Sequence, residues 1–546
     1  MRLKRGGEWW VLATEVLLSM ILVAAIAVLA SVPPVSRDAL VHHLAVPKLW
    51  LEHGSIYEMP GMEFSYYPMT LDLLYLIPLY FGNDIIPKFI HFAFALATSG
   101  MIFIYLRNRL NTLYGMLGAL FFLSTPIIVK LSTTAYVDLG LVFFATAGLL
   151  SALKWREELP EWNHLALAAL CCGMAVSIKY NGLIVLMLLG FIVAHISLRS
   201  ASDGRQTTIR SILATLLFFV IAGLVYSPWG IKNFLWTGNP VFPLFDGLFN
   251  SSDPFEVQSV PPLVLRKLIY NETWWETALV PIRIFFQGMD DSPRYFDGKL
   301  NPALLVLPIM AFVKAGGGGS ASRYPFEKRS MVIFSVLFIL VVFFQTNMRT
   351  RYVAPAIPCL VILTMFGLRN SFALVGKHLV GNMRRAAFGA LLLVTLLIFS
   401  GNVQYIVEQF RIAAPLQYLT DEISRDRYIE KFRPEYAAIR YANNALPSDA
   451  VLLSLFIGRR GYYLERQTLF DIDLFHAITK RSESKEALRI NLAQHGFTHL
   501  LIRYDLFYKW SQDNLKPSER HLVSEFLKEK SNFLFAKNGH RLYQLQ

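Results

Sequence analysis

Residues 11–44 read VLATEVLLSMILVAAIAVLASVPPVSRDALVHHL, and the change of character within this stretch decides the fold class. The apolar run is long enough to cross a bilayer, and it ends at Val32, where two prolines stop it. An arginine, an aspartate and two histidines follow at once. The stretch therefore predicts a membrane helix that brings a cluster of polar groups to one membrane surface.

The composition of the whole chain also indicates a polytopic membrane protein. Of its 546 residues, 54% are hydrophobic and 17% are charged, whereas soluble proteins carry about 25% charged residues. The net charge of +13 does not indicate nucleic-acid binding, because Lys and Arg of membrane proteins collect in cytoplasmic loops and beside anionic lipid. The three cysteines lie inside apolar runs and indicate neither a disulfide framework nor a Cys-based metal site.

About eleven apolar runs approach the length of a membrane span, so we predict a polytopic α-helical membrane protein. The segment 69–82 is too short to cross the bilayer and is interpreted as an interfacial or re-entrant piece. The predicted spans lie at about 10–33, 85–106, 112–130, 136–154, 163–179, 182–198, 212–229, 301–313, 330–346, 353–368 and 386–403.

The basic residues between the spans predict the orientation of the chain. They all fall on one side if the amino terminus is cytoplasmic, and the odd number of spans then puts the carboxyl-terminal tail outside. These residues are Arg2, Lys4, Arg5, Arg107, Arg109, Lys154, Arg156, Arg199, Arg205, Arg210, Lys314, Arg323, Lys328, Arg329, Arg369, Lys377, Arg384 and Arg385.

The chain is predicted to contain two domains. Residues 1–403 form a transmembrane module with outer loops at about 34–84 and 230–300, and residues 404–546 form an extracytoplasmic α/β domain. The glycine-rich stretch AGGGGSASR within the first domain is typical of a flexible cytoplasmic connector.

The tail contains the patterns of both strands and helices. The stretches DAVLLSLFIG, THLLIRYDLF and FLFAKNGHRLYQL are typical of strands, and Asn538-Gly539 in the third is a hairpin turn signal. Between them, SESKEALRINLAQHG is typical of an amphipathic helix that ends at Gly496. A small α/β domain is the simplest structure that accounts for these patterns.

The polar cluster after the first span has two interpretations. Asp38 and His42 are four residues apart and would share one face of a helix, and Lys48 lies further along. One interpretation is an interfacial amphipathic helix whose polar face meets water and headgroups. The other is a carboxylate that acts as a general base at the membrane surface, with cations nearby for a phosphate.

Further polar residues lie at the outer ends of predicted spans, and the cations among them depart from the usual distribution of positive charge. Each cation taken alone could be a snorkelling anchor. Because ionisable groups at membrane depth are costly and often functional, their shared side favours a site for an anionic headgroup or a lipid-linked phosphate. The residues concerned are Asp138, Lys179, Tyr180, Asn181, Lys232, Asn233, Arg349 and Arg351.

Metal binding is possible but is not indicated by the sequence. The loop GMDDSPRYFDGKLNP holds Asp290, Asp291 and Asp297, whose oxygens could bind a divalent cation, although its turn signals favour a solvated turn. His42 and His43 are a weak metal pair, because neighbouring residues on a helix point apart. We therefore expect no required cofactor.

The order of these motifs resembles the GT-C class of integral-membrane glycosyltransferases, which includes protein O-mannosyltransferases and the lipid A aminoarabinose transferase. The resemblance covers most of the first 400 or so residues, and it depends on order and spacing rather than on one motif. The matching stretches are SRDALVHHLAVPKLWLEHGSI, FSYYPMTLDLLYLIPLYFG, TTAYVDLGLVFFATAG, SIKYNG, SPWGIKNFLWTGNPVFP and RTRYVAPAIP.

The resemblance implies transfer of a sugar from a polyprenyl-phosphate carrier to an acceptor at the outer face of a bacterial inner membrane, with inversion. It implies that Asp38 is the general base and that Asp138 supports the site. The residues that it implies for the carrier phosphate are Lys179, Arg349 and Arg351, with Lys48 and Lys232 as weaker candidates; further candidates for the substrate pocket are His42, His43, Tyr180, Asn233 and Tyr352.

The expected partners are the lipid-linked sugar donor, a glycan, lipid or protein acceptor, and the bilayer. Another transferase that uses the same lipid carrier, such as a polymer ligase, would differ only in its acceptor. Two functions of other kinds also fit the same features. One is a transporter or flippase for a lipid-linked or anionic solute, which needs matching polar groups in the inner half of the bundle. The other is a non-catalytic membrane scaffold, for which Asp38 would be dispensable. The sequence does not identify the sugar or the acceptor.

Overall fold

The computed structural model of the protein describes residues 5–159, 161–199, 204–250, 262–313, 324–345 and 347–546. Some residues used to predict the orientation lie outside these ranges, as does the glycine-rich connector. They are Arg2, Lys4, Lys314 and residues 315–323.

The chain forms two compact units that differ from the two predicted domains in how they divide the chain. The first unit is helical, and the second contains a five-stranded sheet. The division of the chain into a membrane domain that ends at residue 403 and an extracytoplasmic domain that begins at residue 404 stays a prediction. The first unit comprises Met1–Ser31, Tyr66–Leu74 and Ile86–Pro415, and the second comprises Val32–Ser65, Tyr75–Ile85 and Leu416–Gln546.

Helices are distributed along all of the described ranges, whereas the strands lie only near the carboxyl terminus. The α-helices are α1 Arg5–Ala30, α2 Ala45–His53, α3 Thr70–Tyr80, α4 Ile86–Arg109, α5 Thr112–Ser124, α6 Pro126–Ser132, α7 Asp138–Glu157, α8 Trp162–Ile178, α9 Gly182–Arg199, α10 Gly204–Thr237, α11 Asp246–Phe249, α12 Pro262–Tyr270, α13 Trp274–Ala278, α14 Val280–Arg283, α15 Ala303–Met310, α16 Pro325–Gln345, α17 Ile357–His378, α18 Gly381–Ala413, α19 Pro415–Leu419, α20 Arg425–Phe432, α21 Tyr436–Ala445, α22 Ile472–Arg481, α23 Lys485–Gln494, α24 Tyr504–Asn514 and α25 Pro517–Glu529. The strands are β1 Val451–Leu455, β2 Gln467–Leu469, β3 His499–Arg503, β4 Ser531–Lys537 and β5 His540–Leu545.

The helices of the first unit confirm the prediction of a polytopic helical protein. A helix lies in each of the eleven predicted spans. Within the described ranges, seven helices are long and apolar enough to cross a membrane, or eight if one bent pair counts as a single span. The segment interpreted as interfacial or re-entrant contains only the 11-residue helix α3, which is too short to cross.

The bent pair consists of α5 and α6, whose axes differ by 65°. The break falls at Thr125, directly before Pro126, the first residue of α6. Proline has no N–H to donate to the preceding turn, so it commonly begins a helix and seldom continues one. The bend redirects α6, whose Ile127 N–H donates to the Lys299 carbonyl at 3.1 Å. This short helix also supplies groups to the candidate site.

The sheet of the second unit confirms the predicted strands of the tail and adds β2, which is only three residues long. The strand order is β2-β1-β3-β5-β4, with β1 parallel to both of its neighbours. The β4–β5 hairpin turns at Asn538 and Gly539, both of which have positive φ, as the predicted turn requires. The predicted helix at 482–496 is α23, for which the side chain of Ser484 forms the N-terminal cap.

Residues 34–65 and 75–84 of the predicted first outer loop belong to the same unit as this sheet. The Lys48 ammonium donates to the carbonyls of Tyr462 and Leu464, both at 3.0 Å. The backbone N–H of Tyr462 donates to the Leu40 carbonyl at 3.1 Å, and the Tyr463 hydroxyl donates to a carbonyl of the same segment at 2.8 Å. These hydrogen bonds join two parts of the chain that are more than 400 residues apart.

A buried ion pair organises the second outer loop of the first unit. Arg266 donates to both carboxylate oxygens of Glu272, at 2.7 and 2.8 Å, and both side chains are almost fully buried. The same guanidinium donates to the Arg294 carbonyl at 2.7 Å and to the Asn347 side chain at 3.4 Å. The pair therefore connects α12 to the segment that leads into Arg349.

We predict that Glu272→Gln destabilises the protein at neutral pH but has little effect in acid. Burial raises the pKa of Glu272, but hydrogen bonds from Arg266 and Arg283 outweigh it and hold the pKa below its ordinary value. A depressed pKa contributes stability above the unfolded value of about 4.3, and this contribution is lost as the pH falls through the folded value. Thermal unfolding of the purified protein in a series from pH 7 down to about pH 2, through the folded pKa, measures the effect.

The matched control is Glu408→Gln, which removes the carboxylate of an exposed pair with Lys299 on the same unit. An exposed pair contributes about 0–1 kcal/mol, whereas breaking a buried pair costs about 3–5 kcal/mol. Equal shifts of the unfolding midpoint in the two variants would contradict the prediction.

Candidate functional site

The candidate site of the first unit lies where α7 begins and α8 ends. These helices pack against each other in an antiparallel hairpin, so Asp138 and Lys179 lie at the same end. Lys179 has extended backbone angles, and the turn closes when the Gly182 N–H donates to the Lys179 carbonyl at 2.7 Å. A Cβ on Gly182 would approach the Ala175 backbone to 2.3 Å, so glycine is needed for this tight turn.

Asp138 and Lys179 form a short, buried ion pair. The Lys179 ammonium donates to Asp138 Oδ1 at 2.6 Å, and the Asp138 side chain is only 2% exposed. The other carboxylate oxygen, Oδ2, is buried and accepts no hydrogen bond from the residues that the structure describes. Asp138 also lies in the first turn of α7, where the helix dipole favours a negative charge.

His91 of α4 fixes the start of α7, and the sequence analysis did not predict this role. Its Nε2 accepts a hydrogen bond from the Leu139 N–H at 2.8 Å, so the proton must be on Nδ1. Nδ1 lies 2.9 Å from the carbonyl oxygens of Leu131 and Thr134. A neutral, oriented imidazole therefore holds the end of α6 and the first turn of α7 together.

Arg351 and Tyr352 complete the positive side of this cluster. The Arg351 guanidinium lies 5.2 Å from the ring centroids of both Tyr136 and Tyr352. The Lys179 ammonium lies 5.4 Å from the centroid of the same Tyr352 ring. The two cations thus share one aromatic ring, and both interact electrostatically with Asp138. The structure brings together four residues that the sequence analysis named separately.

Asp72 is a second acidic residue near the cluster, and the sequence analysis did not select it. Its side chain is 1% exposed, and it interacts electrostatically with Lys179. The only signal in the sequence was a single carboxylate inside the apolar stretch MTLDLLYL. Such a residue is rare in an apolar helix and is often functional.

Arg349 belongs to a different group, although it is only two residues from Arg351. Its guanidinium lies 3.7 Å from the Asp297 carboxylate, which also accepts a hydrogen bond from Lys130 at 2.9 Å. Lys130 donates to Asp290 at 3.1 Å as well. The two aspartates are half-buried and bind a cation of the protein, in contrast to the solvated turn that the sequence favoured.

Lys130 was missed because it lies in the middle of an apolar stretch, and only the bend after α5 brings it to the aspartates. Within the described ranges, no three His, Cys, Asp or Glu side chains converge in a group that could hold a metal ion.

Tyr180 and Asn233 form a buried network next to the α8–α9 turn. The Asn233 side chain donates to the Tyr66 carbonyl at 2.8 Å and to the Tyr180 hydroxyl at 3.1 Å. The Tyr180 hydroxyl in turn donates to the Phe242 carbonyl at 2.8 Å. The Lys232 ammonium lies between the rings of Trp229 and Trp236, 4.8 and 4.7 Å from their centroids. These contacts fix the side chains of Tyr180, Lys232 and Asn233 within the first unit. That any of the three contacts a substrate stays a prediction.

The remaining predicted residues lie in the second unit. Asp38 directly precedes a five-residue π-helix that ends at His43, where an α-helix was expected. Such turns are rare and are frequently found at functional sites. The ring of His42 stacks on Phe64 with centroids 4.4 Å apart, and His43 is buried beside it. Asp38 is half-buried, and its role as a base stays a prediction.

These features define a protein with the fold of the GT-C glycosyltransferases. A family model described as dolichyl-phosphate-mannose-protein mannosyltransferase matches residues 89–236, which include Asp138, Lys179, Lys232 and Asn233. No protein with a curated description matches the chain.

Three solved structures are similar to this chain over nearly its whole length. ArnT from Cupriavidus metallidurans in the apo state has a TM-score of 0.58 at 12% identity, over 99% of this chain and 98% of that one. The same protein bound to undecaprenyl phosphate has a TM-score of 0.53 at 12% identity, over 97% of each chain. The archaeal oligosaccharyltransferase AglB from Archaeoglobus fulgidus has a TM-score of 0.48 at 11% identity, over 100% of this chain and 75% of that one.

We predict that Lys179→Met destabilises the first unit much more than the double change Asp138→Asn with Lys179→Met. The single change leaves a buried carboxylate without its cation, which costs about 3–5 kcal/mol. The double change replaces both charges with neutral groups of similar size, so most of that stability should return. Thermal unfolding of the single and double variants in detergent gives the coupling. Additive effects of the two changes would show that the pair is not an energetic unit.

Proposed function

We propose that this protein is a membrane glycosyltransferase that moves a sugar from a polyprenyl-phosphate donor to an acceptor hydroxyl. Transfer takes place at the outer face of the cytoplasmic membrane and inverts the anomeric carbon. The sugar is a hexose or a pentose, and the acceptor is a glycan, a lipid or a protein. The observation that carries this proposal is the cluster of Lys179 and Arg351 around the buried Asp138 carboxylate in a chain with a GT-C fold.

The charge of the cluster suits a phosphate. Asp138 interacts with two cations, Lys179 and Arg351, and cations of this kind bind phosphate oxygens with charge-assisted hydrogen bonds. Lys179 has three N–H donors and directs one of them to Asp138, and Arg351 offers a planar group that matches a phosphate. The solved structure of ArnT with undecaprenyl phosphate, which shares this fold, supports the same class of ligand.

The proposed reaction needs a base and a stabilised leaving group. The acceptor oxygen forms a bond to the anomeric carbon while the bond from that carbon to the phosphate oxygen breaks. The hydroxyl proton passes to the carboxylate of Asp38, and the leaving polyprenyl phosphate takes the electron pair. Lys179, Arg349 and Arg351 stabilise the charge that develops on the phosphate, so no separate acid is needed. Lys48 and Lys232 are weaker candidates for this role.

Asp138 is less suited than Asp38 to act as the base. A general base must accept a proton during the reaction, and a cation in contact opposes protonation. Asp138 is held 2.6 Å from the Lys179 ammonium, so we assign it a positioning role. In this assignment it orients Lys179 toward the donor phosphate.

The proposed location is the inner membrane of a bacterial cell, with a cytoplasmic amino terminus and a periplasmic tail. In this arrangement residues 1–403 form the membrane module and residues 404–546 the periplasmic domain. The outer end then contains Asp138 and Lys179, on the side where lipid-linked sugar donors meet their acceptors. This orientation follows from the basic residues between the spans.

We predict that Asp38→Asn lowers the transfer rate by about 10²–10⁴-fold without weakening donor binding, because general-base catalysis typically contributes that much. An in vitro assay with defined polyprenyl-phosphate sugars and candidate acceptors measures the transfer, and a separate lipid-binding assay measures the affinity. The control is Asp513→Asn, an exposed carboxylate in the same unit. A wild-type rate for Asp38→Asn would exclude this residue as the base.

We predict that Arg349→Ala and Arg351→Ala each weaken binding of the polyprenyl-phosphate donor by about tenfold or more, as expected for a charge-assisted hydrogen bond of about 1.5–3 kcal/mol. Arg294→Ala is the matched control, because it removes an exposed arginine from the predicted outer loop at residues 230–300. Unchanged donor binding would remove the two residues from the phosphate site.

The same preparations distinguish the transferase from a transporter. Reconstituted protein that moves labelled lipid-linked sugar across vesicles, but yields no glycosylated product with any acceptor, would favour the transporter. A scaffold would give neither activity and would tolerate Asp38→Asn.

A further inference from the structure

A groove lies between α9 and α16, at the end of the first unit away from Asp138. Its volume is about 750 Å³, which is large enough for an organic ligand. The walls are formed by apolar side chains from one face of each helix, such as Leu188 and Ile192 of α9 and Ile333 and Leu337 of α16. Their spacing of three or four residues keeps them on a single face.

The mouth of this groove is basic. Arg156 of α7, Arg199 of α9 and Arg329 of α16 line it together with His195. The three arginines come from three different helices and are all exposed. Since α9 ends here and α16 begins here, the basic groups lie at one end of the groove and the apolar walls extend toward the middle of the helices.

Two carboxylates close in sequence to Arg156 and Arg329 are already engaged elsewhere. Glu157 pairs with Arg109, and Glu327 accepts from both Arg109 and Tyr105. Among the residues that the structure describes, none forms an ion pair with the three arginines at the mouth. Among the described residues, the mouth of the groove therefore carries more positive than negative charge.

Two of the side chains at the mouth contact the same aromatic ring. The Arg156 guanidinium lies 4.2 Å from the Phe326 ring centroid, and the His195 ring is stacked on the same residue with an interplanar angle of 3°. A guanidinium packed against a ring loses less freedom when it binds a ligand than a fully mobile one does. The mouth is therefore partly organised before any ligand binds.

This groove is separate from the proposed catalytic cluster. Asp138 and Arg156 lie 18 residues apart on the same helix, which corresponds to about 27 Å at 1.5 Å per residue. Helix α9 likewise begins at Gly182, close to Lys179, and ends at Arg199 in the groove. The arginines belong to the basic group that predicts the cytoplasmic side of the membrane.

We propose that the groove is a binding site for an anionic phospholipid of the cytoplasmic leaflet. The lipid phosphate lies among Arg156, Arg199 and Arg329, and one acyl chain lies between α9 and α16. Arginine binds phosphate in a bidentate manner, and basic pockets between membrane helices on this side suit anionic headgroups. The apolar walls from Leu188 to Ile196 extend over about 12 Å of helix, which matches part of an acyl chain.

The charge at the mouth also predicts which lipids are rejected. A zwitterionic lipid such as phosphatidylcholine brings a quaternary ammonium close to the three guanidinium groups, and like charges repel. Phosphatidylglycerol has the same phosphate but no cation. The site should therefore prefer phosphatidylglycerol, and this preference separates a specific site from the ordinary lipid layer around the bundle. This proposal does not depend on the proposed transferase activity.

Lipid binding to the purified full-length protein tests the proposal. Native mass spectrometry and thermal-shift titrations measure the binding of phosphatidylglycerol, phosphatidylcholine, undecaprenyl phosphate and glycerol phosphate. We expect phosphatidylglycerol to bind at least tenfold more tightly than phosphatidylcholine. The double variant Arg199→Gln/Arg329→Gln should remove this preference, whereas Arg384→Gln/Arg385→Gln, which removes two exposed cations from the same predicted side, should retain it.

A second variant tests the apolar part of the groove without changing the charge. Ile333→Trp should fill the groove and weaken phosphatidylglycerol binding at least fivefold, while the unfolding midpoint of the lipid-free protein stays unchanged. Equal binding of both phospholipids, or full binding by the arginine variant, would overturn the proposal. Tighter binding of undecaprenyl phosphate at these arginines would replace it with a second carrier-lipid site, and equal protection by glycerol phosphate would reduce it to a soluble-anion site.

Discussion

The first unit depends on one constraint: a charge inside an apolar helical bundle must be matched by a partner. Removing an ion from water costs several kcal/mol, and the cost is recovered only by close contact with the opposite charge. Asp138 and Lys179 satisfy this requirement at 2.6 Å, and Arg266 and Glu272 satisfy it with two hydrogen bonds. The first pair joins α7 to the end of α8, and Arg266 also reaches the distant Arg294 carbonyl and Asn347 side chain, so these charged groups help to position neighbouring segments of the first unit.

The two ends of this unit use their cations differently. At the end with the candidate site, Lys130, Lys179 and Arg349 all contact carboxylates of the protein. At the other end, Arg109 also contacts carboxylates, whereas Arg156 and Arg199 have no such partner among the described residues and line a groove. The first arrangement holds the charged side chains in place by contacts within the protein, whereas the second leaves arginines available for the anionic lipid that we propose.

The sequence was sufficient to predict the helical bundle, the sheet and the individual charged residues. Hydropathy runs predict spans because every backbone polar group in lipid must be satisfied within a helix, and Asn538-Gly539 predicts a hairpin because both residues accept positive φ. Asp138 and Lys179 were recognised as unusual at their positions. Their pairing was not predicted, because it depends on how α7, α8 and α9 turn back on one another, and no local pattern encodes that contact.

The residues that the sequence analysis missed are those whose role is entirely tertiary. His91 lies in an apolar helix, yet it binds three backbone groups from α6, α7 and the loop between them. Lys130 meets its aspartates only because a proline bends the chain by 65° before it. The π-helix after Asp38 changes the relation between that residue and His42, which a regular α-helix would have placed on one face. A single sequence therefore shows which groups are expensive to bury, and only the folded chain shows which groups compensate them.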